Sequence, residues 1–293
     1  MLFRWYILVL CALFLGSSSV SAKRKKKRLH KITKYLPKVG HSYRVRRITE
    51  ETQKMGVRRR RPFRRVFKEI VQDYKETVLQ VTKGMITRRK RVYRKCRVRV
   101  HLYLSGKPMK KKLRCPYEGK TVFITDTAKG WHFQYKNKKT LSASASRLLL
   151  QEFNKKKQQG AIFYIPSKPV KIGERWKLSI KTFLGAFAFP KDTFQLKGSY
   201  AVGFLKQVKK TKKSHEALIE RHLFLRVKKF PKVKRVKGDF SIRLQSIIQP
   251  DGRSPKGDRL MQGRFVLRGV IKSPQGRKVL AVEMTFTQRD EIL

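Results

Sequence analysis

Six residues constrain the fold of this chain more than any others. Arg97-Val98-Arg99-Val100-His101-Leu102 alternates strictly between basic or imidazole and aliphatic side chains. Successive side chains of a β-strand point to opposite faces, so the spacing predicts a strand with one buried and one solvated face. It also shows where cations stand in such a fold: in rows on the solvent face of a sheet. That placement matters because 75 Lys and Arg face 18 Asp and Glu, a formal net charge of +57 over 293 residues. A disordered basic tail is poor in apolar residues. Here 40% are hydrophobic and 11% aromatic, enough for one large core or two modest ones.

The same reading extends along the chain. Residues 42–49 start folded structure, with Tyr43, Val45 and Ile48 as candidate apolar contacts; 77–82, 85–93 and 92–104 read as strands, with a turn at Lys83-Gly84 and another at residues 105–108. Residues 121–125 and 131–135 follow, then 174–186, 194–206, 217–227, 238–249, 263–271 and 278–287, separated by Pro, Gly and Asp turn chemistry. One helix is predicted, about 142–157, with leading serines, an apolar stripe of Leu148, Leu149 and Phe153, and lysines in its last turn. The fold class is therefore mainly β: antiparallel curved sheet(s) or a sandwich with one clear α-helix.

The start of the chain carries two opposed signals. Residues 5–16 form an apolar run of signal-peptide length, followed by the small-x-small site Val20-Ser21-Ala22. Then come Lys23, Arg24, Lys25, Lys26, Lys27 and Arg28, a block that the positive-inside rule keeps in the cytoplasm. The favoured reading is a signal peptide over 1–22, cut after Ala22, a flexible basic arm over 23–40, a β-rich half with the helix over 41–165 and a second β-rich half over 166–293. The alternative is an uncleaved N-terminal membrane anchor. Export leaves Cys96 and Cys115, which flank a hairpin of strand 92–104, a turn over 105–108 and a return beginning at Leu113, and make one disulfide geometrically reasonable; two free thiols are the other reading.

Residues 116–122 read PYEGKTV and residues 165–176 read IPSKPVKIGERW. With the helix between them, these resemble a group of uncharacterised exported β-rich bacterial proteins. The resemblance covers about 180 residues, and the second motif is the more specific of the two. It implies export and a β-rich fold and carries no activity. This chain departs from the group in its high positive charge. Read from the residues alone, Pro166 and Pro169 stiffen an extended entry, Gly173 turns it, and Trp176 anchors the next strand.

No catalytic constellation stands out. His215-Glu216 lacks a second His four positions on, since residue 219 is Ile, so the zinc-protease pattern fails. The segment around it, through Glu220 and His222, reads as surface residues on a strand. There is no G-x-S-x-G elbow, no P-loop and no dinucleotide fingerprint. Glu69, Asp73 and Glu76 have helical spacing and read as a solvated acidic face. The sequence thus points to a protein that is not an enzyme, with no cofactor, no metal and no small-molecule substrate.

The remaining chemistry is cationic. The arm at residues 23–28 is joined by Arg58, Arg59, Arg60, Arg61, Arg64 and Arg65; by Arg88, Arg89, Lys90 and Arg91; and by Lys209, Lys210, Lys212 and Lys213. Such clusters bind anionic polymers or surfaces through counterion release. The expected partner is an anionic envelope component: polysaccharide, lipid head groups or acidic protein. A second reading is a carrier with an apolar cavity in a curved sheet, lined by Phe183, Phe187, Phe189 and Phe194. A membrane-tethered nucleic-acid binder ranks below both, because no nucleic-acid motif accompanies the cations.

Overall fold

The computed structural model describes residues 29–32, 37–57, 64–104, 107–150, 153, 166–181, 184, 192–210, 215–248, 259–273 and 276–292. Twelve strands form one antiparallel, curved sheet that does not close. They are β1 (Ser42–Val57), β2 (Arg64–Thr82), β3 (Met85–Leu104), β4 (Lys107–Arg114), β5 (Thr121–Thr127), β6 (Gly130–Tyr135), β7 (Arg175–Lys177), β8 (Phe194–Lys210), β9 (His215–Val227), β10 (Lys234–Ile248), β11 (Arg259–Ser273) and β12 (Gly276–Ile292). Their order is β6-β5-β3-β2-β1-β12-β11-β10-β9-β8-β7, with β4 paired beside β5 on the same edge of β3. Two meanders therefore join where the last strand lies against the first, from Val45↔Ile292 to Val57↔Leu280.

Local chemistry explains the hairpins. Lys83 and Gly84 both take left-handed backbone angles, φ 51° and 71°, between paired Thr82 and Met85. Two such residues make the turn whose twist matches antiparallel strands. The predicted 174–186 strand is a correction: among the described residues there, only β7 pairs, and residues 180, 181 and 184 are helical. The helix α1 (Ala143–Leu150) starts at Ser142, whose Oγ accepts the Ala145 N–H at 3.4 Å. It buries Ala145 and Leu149, with Phe153 packed beyond them. Residues 151, 152 and 154–157 of the expected helix lie outside the described residues.

The register places the core on one face, here the inner face. Tyr74, Val98, Val122, Leu225, Phe240, Leu267 and Val282 all point to it. Across its middle runs a polar strip: Arg47 donates from Nε and Nη2 to both oxygens of buried Asp290, at 2.7 and 2.6 Å, with Gln288 on the same carboxylate. This strip divides one cluster under α1 from two others on the C-terminal strands. Where the composition allows one large core or two modest ones, three clusters share the inner face of a single sheet.

Candidate functional site

On β3 the cations fall on both faces, and a bulge decides which. Tyr74 pairs with Tyr93 while Asp73 pairs with Lys95, so Arg94 is the extra residue. One extra residue inverts the parity of everything beyond it. Before the bulge Arg89, Arg91 and Tyr93 point inward; after it Cys96 and Val98 do. Arg88, Arg94, Lys95, Arg97 and Arg99 consequently stand exposed, beside Arg46 on β1 and Lys75 on β2. The acids on this outer face of β1 and β2 are Glu50, Glu69 and Asp73, with Glu291 of β12 opposite Arg46. Asp73 accepts from Arg44 Nε at 2.8 Å and Nη2 at 2.5 Å. That hydrogen bonding, against burial and with help from the charges of Arg44, Arg94 and Arg46, lowers its pKa. Glu69 lies 3.4 Å from Arg99.

Arg89 and Arg91 are corrected from exposed candidates to buried ones, with 8% and 4% of their surface accessible. They share Glu76, the acid that reads in sequence as part of a solvated face and is also buried. Arg91 Nε donates to Glu76 Oε2 at 2.6 Å, Arg89 Nη1 to Oε1 at 3.2 Å, and the Tyr43 hydroxyl to Oε1 at 2.6 Å. Phe153 covers both guanidiniums at 4.7 and 5.0 Å, and the Tyr74 ring lies 4.2 Å from Arg91. Burial raises the Glu76 pKa, but the charges of Arg91 and Arg89 and the hydrogen bonds from Tyr43 and Arg91 outweigh it and hold the carboxyl at about 2. Burial first, then the Glu76 charge, pushes Tyr43 well above the usual tyrosine range. This cluster is scaffold beneath the sheet, closed to a large ligand.

A second carboxylate, Glu220 on β9, reads in sequence as a surface residue and is 2% exposed. Burial opposes its ionisation, yet hydrogen bonds from Arg243, Gln245 and His222 hold it at about 2. Beside it Tyr200, Phe224, Arg243 and Arg264 line an open depression of about 360 Å³ on the outer face.

The other candidates divide simply. Arg64, Arg65, Lys209 and Lys210 are exposed, and Lys90 is half-buried. Lys23 to Arg28, Arg58 to Arg61, Lys212 and Lys213 lie outside the described residues, as do Phe183, Phe187 and Phe189. Phe194 is buried, its ring 6.0 Å from that of Phe240. Cys96 and Cys115 are bonded to each other. In the IPSKPVKIGERW segment, Gly173 turns at φ 83° and Trp176 packs over Gly203, as a structural corner requires. Among the described residues no group of three His, Cys, Asp or Glu could hold a metal, and no helix is long and apolar enough to cross a membrane.

No family model and no curated protein sequence matches the chain. Among solved structures it is similar to lipovitellin, from a study of lipid–protein interactions in that protein. The TM-score is 0.41 and the identity 9%, over 87% of this chain; the chain spans only 25% of the lipovitellin chain. It is also similar to OccK11 (OpdR) of Pseudomonas aeruginosa, at TM-score 0.17 and 8% identity, over 89% of this chain and 100% of that one. Neither likeness bears on function.

Proposed function

We propose that this is an exported, non-enzymatic protein that attaches electrostatically to an anionic envelope component through its outer face. One observation carries the reading: across β1, β2 and β3, exposed Arg46, Lys75, Arg88, Arg94, Lys95, Arg97 and Arg99 outnumber the acids on the same surface, Glu50, Glu69 and Asp73. Neighbouring strands lie about 5 Å apart and alternate residues about 7 Å apart, so the cations form a grid. A polymer or surface with closely spaced anions meets several at once and releases its counterions. Export is supported by the leader-like start and by the Cys96–Cys115 disulfide, which suits an oxidising compartment.

Retention on immobilised dextran sulfate tests the reading. The protein is expected to bind at low salt and to elute at moderate salt. Neutralising Arg46, Lys75, Arg94 and Lys95 together lowers the eluting salt and flattens the salt dependence by about one unit for each cation removed. Absence of binding at low salt, or retention in molar salt, overturns it. The mass of the protein isolated from its host tests export: the chain is expected to begin at Lys23.

A second reading, an apolar-ligand carrier, is favoured by half-buried Met55, Met261, Met284, Phe265 and Phe286 on the inner face. A lipid recovered with the purified protein supports it, and a ligand-free preparation counts against it.

A further inference from the structure

The paired ends of β3 and β4, residues 97–104 and 107–114, are built unlike the rest of the sheet. Every residue of β4 is exposed, so the strand is packed on neither face. Register separates its side chains into two kinds. Arg97, Arg99 and His101 pair with Arg114, Lys112 and Lys110 on one face. On the other, Val98, Leu102 and Leu104 pair with Leu113, Met109 and Lys107. Leu104, Met109 and Leu113 are 43%, 47% and 55% exposed, and Tyr103 is 39% exposed. Seven Lys and Arg and no acid lie between positions 97 and 114. Glu118 lies 3.9 Å from Arg97 and 3.7 Å from Arg114, and Glu69 serves Arg99, all at the hairpin base. Lys107, Lys110, Lys111 and Lys112 have no carboxylate within ion-pair distance among the described residues.

We propose that this hairpin docks onto an anionic lipid surface. The inference rests on the electrostatic attachment argued above and names its partner. An anionic polysaccharide or nucleic acid would neutralise the cations and leave Leu104, Met109 and Leu113 in water. A second copy of the chain is disfavoured by seven like charges meeting seven, and a lysine-rich edge strand resists pairing. A bilayer interface meets both needs. Hydrocarbon takes the leucines and methionine of the inner face, Lys107 and Lys111 on that same face lay their stems along it with the ammonium in the head-group layer, and the cations of the opposite face add longer-range attraction to the anionic surface.

The test uses the full chain with vesicles of phosphatidylcholine, with and without phosphatidylglycerol, beside the dextran sulfate column. Wild-type protein is expected to float with the phosphatidylglycerol vesicles only. The double variant Met109→Ser/Leu113→Ser keeps every charge and alters only exposed positions. It is expected to bind these vesicles on the order of tenfold more weakly and to elute from dextran sulfate unchanged, with an unaltered circular dichroism spectrum. A nitroxide attached through Met109→Cys is expected to become accessible to oxygen and shielded from a polar nickel chelate on binding. Equal vesicle binding by variant and wild type, a nitroxide that stays in the aqueous phase, or dextran sulfate binding without vesicle binding each overturns the lipid inference and leaves the electrostatic reading standing. Failure to bind either support overturns both.

Discussion

Replacing Glu76 by Gln preserves the side-chain shape and removes the one negative charge that Arg89 and Arg91 share. All three residues are buried, so the variant leaves two guanidiniums without a counter-charge in a medium of low polarity. The carboxyl lies at about 2 against an ordinary 4.5, which corresponds to about 3 kcal/mol of folding stability at neutral pH. Breaking buried ion pairs by removing one partner costs a similar ~3–5 kcal/mol. For a chain of this size the expected fall in melting temperature is about 6–12 °C, followed by circular dichroism of the sheet. The pH dependence separates charge from packing. Glu76 ionises more readily in the folded than in the unfolded chain. Its contribution is therefore complete above about pH 4.5 and is lost as pH falls toward 2. The gap between wild type and Glu76→Gln should close across that window. Converting the cluster together, Glu76→Leu with Arg89→Leu and Arg91→Met, is expected to recover most of the loss. A melting temperature within about 2 °C of wild type at neutral pH, or a gap that persists unchanged at pH 2, would mean that the Glu76 charge does not stabilise the fold.

Three further outcomes are expected. Removing the disulfide with Cys96→Ser and Cys115→Ser frees a link between positions 19 apart; it should cost about 3 kcal/mol in urea unfolding, and reducing agent should destabilise wild type but not the variant. At Gly263 an added Cβ would lie 2.0 Å from Phe286 Cε1, so Gly263→Ala should lose about 1–3 kcal/mol, and a companion Phe286→Leu should return part of it. Glu220→Gln acts on Arg243, Gln245 and His222, none of which Glu76 touches. Its loss should add to that of Glu76→Gln within about 0.5 kcal/mol, as denaturation of the double variant will show.

Much of the fold is legible in the residues because alternation is a local signal. Arg97 to Leu102 states both that a strand is present and that its arginines are solvated, and the exposed Arg97 and Arg99 over buried Val98 agree. The arginine-lysine run at 88–91 carries no such signal. It places cations at both parities, so no spacing separates exposed Arg88 from buried Arg89 and Arg91. A clue did exist at Glu76, which shares its parity with Tyr74 and Val78, both buried. The helical spacing of Glu69, Asp73 and Glu76 obscured it; in a strand the first two point outward and the third inward.

The residues alone set the β class, the Lys83-Gly84 turn and the helix start at Ser142, and made a Cys96–Cys115 bridge reasonable beside two free thiols; the turn expected over 105–108 is shorter, since Lys107 and Pro108 already pair in β4. Each depends on residues close together in the chain or on one hairpin. Only the tertiary structure decided that β12 returns to β1, bringing Arg47 to Asp290 across 243 positions. Only it revealed the bulge at Arg94 that turns two arginines into the core and leaves the next ones on the surface. The physical reason is common to both: period-two patterning sorts side chains onto two faces, but pairing with a distant strand chooses the partner, and a single unpaired residue exchanges the faces.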